Sequence, residues 1–113
     1  MTIGDHKVVA EISIIPIGKT HSDEEDALQT SLSKEISLAF NAIKNLKEVK
    51  VVLTAMGTEI EANNLQDVLK SVEIAHMAMK DIGVKRIIST IRIDERLDKT
   101  ETLNDRVNSV NGN

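Results

Sequence analysis

Apolar residues recur along the chain with two spacings, every second residue in some stretches and every third or fourth residue in others. The first spacing predicts strands, because successive side chains of a strand point to opposite faces, and the second predicts the buried stripe of a helix. The strand spacing covers residues 7–15, 48–56, 59–62 and 85–94, and the helix spacing covers residues 22–45, 65–82 and 103–110. The predicted order is strand, helix, strand, strand, helix, strand and a short C-terminal helix.

Polar residues at the ends of the apolar stretches predict where the helices begin and end. The predicted N-terminal caps are Ser22 with Glu25, the pair Asn63–Asn64, and Asp98 with Glu101. Each offers side-chain oxygens to the free backbone N–H groups of a first helical turn. Gly83 is predicted to end the second helix, because glycine adopts left-handed backbone angles without strain.

This order of elements predicts an α+β fold, the ferredoxin-like βαββαβ sandwich with an additional short C-terminal helix. In that arrangement two helices cover one side of an antiparallel sheet, and right-handed crossovers leave it as the simplest topology. The chain has 113 residues, of which 41% are apolar, so we expect a single domain over residues 7–110. Residues 1–6 and 111–113 are expected to be flexible ends.

Composition excludes several function classes. The net charge of −4 argues against binding to nucleic-acid phosphates, and the absence of cysteine excludes thiolate catalysis and cysteine-based metal sites. The three histidines share no metal-ligand spacing, so neither a metal nor a cofactor is expected. No stretch approaches the roughly 20 apolar residues of a membrane span, and the first residues do not resemble a signal peptide. We therefore expect a cytoplasmic protein without nucleic-acid or membrane partners.

The sheet face that the two helices leave open is predicted to be unusually apolar for a solvent-exposed surface. Its apolar members are Val9, Ile15, Val52, Met56 and Ile88, and they alternate with Glu11, Ser13, Thr54, Thr90 and Arg92. Such a surface indicates self-association through sheet faces. The topology also brings Glu11 close to Arg92, either as a salt bridge that fixes the register of an assembly or as a polar clamp for a ligand.

The segment from Met56 to Thr58 has two interpretations. It is either a turn in which Gly57 supplies an unusual backbone angle and the Thr58 hydroxyl satisfies the bend, or part of a ligand site. Glu59 and Glu61 follow on one face of a short strand, where a carboxylate pair can do acid–base chemistry. No nucleophile accompanies them, so solvated or cation-paired carboxylates are the favoured interpretation.

Two further groups of polar residues favour structural roles. His76 lies near the apolar stripe of the second helix, and a partly buried, hydrogen-bonded histidine is the favoured interpretation. The run from Asp94 to Asp98 lacks the ligand spacing of a calcium loop. A turn in which Arg96 pairs with an acid is expected there.

Three segments resemble the signatures of the small thiamine-binding protein family, which is also described as hydroxymethylpyrimidine-binding. They are residues 10–18 (AEISIIPIG), 55–62 (AMGTEIEA) and 91–98 (IRIDERLD). The resemblance extends over about residues 7–107, in the family's order and spacing. It implies a ferredoxin-like subunit that assembles into dimers or tetramers and binds thiamine or its pyrimidine part without turnover.

These observations define one leading hypothesis and two alternatives. The leading hypothesis is a non-catalytic, oligomeric binder of thiamine or hydroxymethylpyrimidine, with a pocket near the sheet face and the subunit boundary. The expected ligand-binding residues are Glu11, Ser13, Thr54, Met56, Gly57, Thr58, Thr90 and Arg92, with no catalytic residue and no metal ligand. The alternatives are a structural or protein-interaction homo-oligomer without a small ligand, and a carboxylate-dependent hydrolase that uses Glu59 and Glu61.

Overall fold

The described residues form three helices and four strands in the order predicted from the sequence. The structure is a computed structural model that describes residues 7–18, 33–98 and 102–110. The elements are β1 (Val8–Ile17), α1 (Ser33–Lys44), β2 (Val49–Leu53), β3 (Thr58–Ala62), α2 (Leu65–Asp81), β4 (Arg86–Glu95) and α3 (Leu103–Val110). The predicted Ser22–Glu25 cap, the start of the predicted first helix and the two predicted flexible ends lie outside the described residues.

The four strands form one antiparallel sheet in the order β2-β3-β1-β4. β1 is central and pairs with β4 over ten positions, from Val8 opposite Glu95 to Ile17 opposite Arg86. Its pairing with β3 is shorter and ends where Ile12 faces Thr58. This arrangement is the ferredoxin-like fold, as predicted, and among the described strands the last five residues of β1 pair with β4 alone.

Two strand boundaries differ from the prediction for local reasons. β1 continues through Pro16 to Ile17, because a residue without a backbone N–H is tolerated where a strand has only one neighbour. β2 ends at Leu53 rather than Met56, because Thr54 already belongs to the bend that leads into β3. Both differences lie at the same end of the sheet.

The core fills the space between the sheet and the helices α1 and α2. Its main cluster consists of Ile12, Ala39, Ile43, Ile60, Ala75 and Met79, all nearly inaccessible to solvent. The helix spacing over residues 65–82 places Leu69 in the buried stripe of α2, and this is wrong, because its exposed fraction is 52%. Ser71 is buried in the stripe instead, and its hydroxyl donates to the Asp67 carbonyl oxygen at 2.9 Å. A satisfied hydroxyl can be buried at little cost.

The helix ends confirm the predicted cap at Asn64 and the predicted stop at Gly83, and they correct the cap predicted at Asp98. Asn64 caps α2 by accepting a hydrogen bond from the Asp67 N–H at 2.8 Å, and Gly83 follows α2 with a φ of +84°. α3 is instead capped by Thr102, whose hydroxyl accepts from the Asp105 N–H at 3.1 Å. The predicted cap residue Asp98 pairs with Arg96, which confirms the acid partner expected for that arginine. None of the helices in the described residues is long and apolar enough to cross a membrane.

The sheet face away from α1 and α2 is only partly open. Leu103, the first residue of α3, is buried, and its N–H donates to Glu61 Oε1 at 2.9 Å. Glu61 lies opposite Val9, which is buried as well, so the expectation that Val9 is exposed is wrong. The other end of this face stays open, with Ile15 45% and Ile88 40% exposed. We call the surface formed by Ile15, Val52 and Ile88 the open face.

Candidate ligand-binding site

The bend between β2 and β3 is held by the side chain and backbone of one residue, Thr54. Its N–H and its hydroxyl both donate to the Gly57 carbonyl oxygen, at 2.8 and 2.9 Å. The Gly57 N–H donates back to the Thr54 hydroxyl at 3.1 Å. The prediction assigned this role to the Thr58 hydroxyl, but Thr58 is a buried residue of β3. The three hydrogen bonds fix residues 54–57 as a rigid loop.

Gly57 is needed for its lack of a side chain and not for its backbone angle. Within the described residues, the positive φ angles belong to Gly18 and Gly83, so the unusual angle expected at Gly57 is absent. A Cβ atom on Gly57 would lie 2.8 Å from the Ile12 carbonyl oxygen, closer than such atoms approach. The bend can therefore pack against β1 only with glycine at this position.

A cavity of about 100 Å³ lies where β1 extends past the end of β3. We call it the bend cleft. It is lined by residues 12–14 of β1, by Ile36, Ala39 and Ile43 of α1, and by residues 54–58 of the bend. Within the described residues β1 pairs only with β4 beyond Ile12, so its backbone N–H and C=O groups on the cleft side have no strand partner. The cleft thus combines aliphatic walls with an unused strand edge.

Met56 is the most exposed large apolar residue of the cleft lining, with an exposed fraction of 82%. A single exposed apolar side chain is common on protein surfaces, so this exposure shows only that the side chain is free to move. The methionine side chain is flexible and polarisable and adapts its shape to what it contacts. Met56 can therefore fold over the cleft opening.

A second and wider cavity, of about 380 Å³, lies across β3, β1 and β4. We call it the charged trough. Its lining consists of Val9, Ala10, Glu11, Glu59, Arg92, Ile93 and Asp94. Glu11 stands between Glu59 on β3 and Arg92 on β4, in one row across the sheet. In the part of the chain that the structure describes, no ion pair joins Glu11 to Arg92, although the predicted proximity is present in the register.

The predicted site residues fall into two groups. Ser13, Thr54, Met56, Gly57 and Thr58 line the bend cleft. Glu11 and Arg92 line the charged trough, and Thr90 lines neither cavity. The eight predicted ligand-binding residues therefore do not line one common cavity within a single chain.

Sequence reasoning missed the α1 wall of the cleft. Ile36, Ala39 and Ile43 carry the same apolar spacing as any core-facing stripe, so periodicity alone cannot separate lining from core. The sequence does contain one indication of this wall. Ala39 is a small residue in a stripe of large ones, and its short side chain leaves space for a cavity.

The remaining candidate groups have structural partners. Glu61 accepts the hydrogen bond from the start of α3, and His76 Nε2 lies 2.9 Å from the Ser89 hydroxyl, which confirms the expected hydrogen-bonded histidine. Among the described residues no group of His, Asp or Glu side chains could hold a metal ion.

Comparison with known proteins identifies the family. A family model described as thiamine-binding protein matches residues 10–111. The chain belongs to this family. Membership in the thiamine-binding family indicates a small-molecule-binding role, and the family is named for binding rather than for catalysis.

Relatives of this thiamine-binding family member occur in archaea and bacteria. A UPF0045 protein of Methanothermobacter thermautotrophicus is 35% identical over 103 residues, which are 91% of this chain and 95% of that protein. The UPF0045 protein YqgV of Bacillus subtilis is 33% identical over 103 residues, 91% of this chain and 93% of its own. Each of these alignments covers nearly the full length of this chain and of the relative.

Solved structures share the fold of this thiamine-binding family member. A hypothetical protein of Methanocaldococcus jannaschii superposes with a TM-score of 0.76 at 36% identity, covering 94% of this chain and 97% of that one. A candidate thiamine biosynthesis or salvage protein of Thermotoga maritima superposes with a TM-score of 0.70 at 17% identity, covering 92% and 98%. At that lower identity the likeness concerns the fold alone.

Proposed function

We propose that the chain binds thiamine or its hydroxymethylpyrimidine part in the bend cleft, without chemical turnover, and acts as a homo-oligomer. The observation that carries this proposal is the edge of β1 at the cleft, which no strand of the described residues pairs with and which lies between aliphatic walls and a bend that three hydrogen bonds make rigid. A preformed, mostly apolar site with a few oriented polar groups is typical of small-molecule binding.

The chemistry of an aminopyrimidine matches a strand edge. Its ring nitrogen accepts and its adjacent amino group donates a hydrogen bond along one side of a flat ring. Each second residue of a strand points its backbone N–H and C=O to the same edge, so Ile14, which follows Ile12 on the cleft side, can offer one donor and one acceptor to that side of the ring. Phe40 is the chain's single aromatic residue and does not line the cleft. Aliphatic side chains therefore cover the faces of the ring.

The size of the cleft favours the pyrimidine part over the whole vitamin. At about 100 Å³ it is smaller than the roughly 300–1,000 Å³ of sites for drug-sized ligands. We propose that the pyrimidine enters the cleft while the thiazolium part of thiamine extends past Met56 toward solvent. Hydroxymethylpyrimidine and thiamine should then bind with affinities within about tenfold of each other, since the buried contacts are shared.

Filling the cleft tests the location of the site. Replacing Ala39 with leucine places three more carbon atoms in the cavity while keeping an apolar helix residue. We expect Ala39→Leu to weaken hydroxymethylpyrimidine binding at least tenfold in titration calorimetry, with the fold retained. The matched control is Ala42→Leu on the same helix, because Ala42 does not line the cleft. Equal affinities of the two variants would contradict the proposed site.

Self-association through the open face is the second part of the proposal. Exposed Ile15 and Ile88 face each other across β1 and β4 and form an apolar surface that a second copy can cover. Sedimentation should give dimers or tetramers, and Ile15→Lys should reduce the assembly size. A monomer for the unaltered chain at micromolar concentration would contradict this part.

The same measurements decide between the alternatives. An oligomer that gives no heat with either ligand at millimolar concentration would favour the structural or protein-interaction module. Conversion of thiamine into products during long incubation would favour the hydrolase. Its candidate Glu61 already accepts the hydrogen bond that begins α3, which favours a structural role for that carboxylate.

A further inference from the structure

Methionine carries all of the sulfur in this chain. The sequence contains four methionines and no cysteine. A peroxide oxidises the methionine thioether to a sulfoxide, a step that methionine sulfoxide reductases reverse. Oxidation of sulfur in this chain is therefore confined to methionine, and each oxidised methionine can be restored.

The described methionines differ in their access to solvent. Met79 belongs to the main core cluster and is inaccessible, Met77 on α2 is 50% exposed, and Met56 in the bend is 82% exposed. Met1 lies outside the described residues. Because a dissolved oxidant must reach the sulfur atom, oxidation should be fastest at Met56, slower at Met77 and absent at Met79 in the folded chain.

The most exposed of these methionines is also the one at the proposed ligand site. Met56 lines the bend cleft, whereas Met77 does not. The three hydrogen bonds that fix the bend join Thr54 to Gly57, and none of them uses the side chain of Met56. A chemical change at the Met56 sulfur can therefore alter the opening of the cleft while the bend keeps its conformation.

We propose that Met56 is a site of reversible oxidation that controls ligand binding in the bend cleft. The inference rests on the proposed function, because it concerns the same cleft. The Met56 sulfur attacks one oxygen of hydrogen peroxide, and a sulfur–oxygen bond forms as the oxygen–oxygen bond breaks. The sulfur loses two electrons, and the other peroxide oxygen gains them and leaves as water with both hydrogens. In the reverse step two thiols are oxidised to a disulfide, and the sulfoxide oxygen leaves as water.

Oxidation changes the surroundings that the Met56 side chain favours. The thioether packs well against aliphatic surface, whereas the sulfoxide oxygen is polar and needs a hydrogen-bond donor when it is buried. The α1 wall of the cleft offers aliphatic side chains only, and the Thr54 hydroxyl already donates to the Gly57 carbonyl oxygen. Because burial of an unpaired polar oxygen is unfavourable, the oxidised side chain stays in water and no longer covers a bound ligand.

A bound ligand should in turn protect the Met56 sulfur from peroxide. A pyrimidine in the cleft contacts the thioether that folds over the opening, so the ligand and the oxidant compete for the same side chain. Met77 does not line the cleft, and its oxidation should not respond to the ligand. The ratio of the two oxidation rates therefore reports on contact between the ligand and Met56.

Peptide mass spectrometry after timed treatment with hydrogen peroxide measures the order of oxidation. Met56 should gain one oxygen about twofold faster than Met77, following their exposure, and Met79 should stay unmodified. Saturating hydroxymethylpyrimidine should slow the oxidation of Met56 alone, by at least about threefold. Faster oxidation of Met77 than of Met56, or no protection of Met56 by the bound ligand, would overturn the inference.

Calorimetry on two oxidised variants measures the effect on binding. Peroxide-treated Met77→Leu should bind hydroxymethylpyrimidine about three- to fivefold more weakly than before treatment, because the Met56 contact is lost. The A-type and B-type methionine sulfoxide reductases together should restore its affinity, since each reduces one sulfoxide epimer. The matched control is Met56→Leu, in which treatment oxidises Met77 instead. Treatment of this control should not change the affinity that it had before oxidation.

The outcomes separate failure of this inference from failure of the proposed function. If the untreated, unaltered chain gives no heat with hydroxymethylpyrimidine, the proposed function fails and the inference fails with it. If the untreated chain binds, but oxidised Met77→Leu binds equally well or more tightly, only the inference fails. That result is expected if the sulfoxide pairs with the Ser13 or Thr58 hydroxyl inside the cleft. An equal loss of affinity in both oxidised variants would assign the effect to another residue and would also overturn the inference.

Discussion

The bend cleft lies at the end of the β1–β3 pairing, the charged trough crosses β3, β1 and β4, and the two cavities differ in what they offer a ligand. The trough is larger, about 380 Å³ against about 100 Å³, but its polar groups are three carboxylates and one guanidinium on a broad sheet surface. The cleft is small, apolar and closed by a rigid bend. We therefore place the proposed site at the end of the β1–β3 pairing, where no described strand meets the backbone groups of β1, and not in the larger cavity.

The largest effect should come from Gly57→Ala, which disrupts the bend that forms one wall of the cleft. The added Cβ meets the Ile12 carbonyl oxygen at 2.8 Å, so the bend must move away from β1. We expect a loss of about 2–3 kcal/mol in the free energy of unfolding, in the range of overpacked sites, and loss of ligand binding. Urea unfolding and calorimetry measure the two effects.

Gly83→Ala is the control for that substitution. Gly83 has a φ of +84°, so alanine is strained there and should lower stability by about 1 kcal/mol. Its position after α2 lies away from the cleft, and ligand affinity of the folded variant should be unchanged. If both glycine variants lost binding equally, general destabilisation and not the bend would be responsible.

Thr54→Val should have the next largest effect. Valine keeps the shape of threonine but removes the hydroxyl that joins Thr54 to both the N–H and the carbonyl oxygen of Gly57. The part-buried Gly57 N–H then lacks its partner, which costs about 1–2 kcal/mol of stability. A looser bend should weaken hydroxymethylpyrimidine binding by about five- to tenfold. Thr90→Val is the matched control and should leave affinity within twofold.

Met56→Ala should have a smaller effect that is confined to binding. Met56 is 82% exposed, so its truncation should change the free energy of unfolding by less than about 0.5 kcal/mol. The lost contact with a bound ligand should weaken affinity by about three- to fivefold. An affinity equal to that of the unaltered chain would remove Met56 from the proposed site.

The smallest effect on ligand binding should come from Arg92→Gln, which changes the trough. Removing the guanidinium leaves Glu11 and Glu59 side by side without a neighbouring positive charge, and stability should fall by about 0.5 kcal/mol. Ligand affinity should stay within twofold. A tenfold loss of affinity would move the binding site from the cleft to the trough.

Sequence patterns predicted the fold because its determinants are local. Alternation along β1, the Asn64 cap and the stop at Gly83 each depend on residues close together in the chain, and each is present in the structure. The register that brings Glu11 opposite Arg92 also follows from topology once the elements are assigned.

The site was predicted only in part, because its determinants come from distant segments. Gly57 is required because the Ile12 carbonyl oxygen, about 45 residues earlier in the chain, leaves no room for a side chain. Residue preferences of turns describe local sequence only and do not include such a contact. Val9 is buried opposite Glu61, the residue that the start of α3 contacts, although alternation on β1 alone predicts an exposed residue. The α1 wall of the cleft could not be predicted from the sequence for the same reason, because a cavity depends on how distant segments pack together.

A backbone and methyl NMR titration with hydroxymethylpyrimidine tests the central claim most directly. The account predicts saturable shifts of the Ser13, Ile14 and Gly57 amides and of the Ala39 methyl group, while Arg92 and Asp94 stay unchanged. Shifts centred on Arg92 and Asp94, or no shifts at millimolar ligand, would contradict a binding site in the bend cleft.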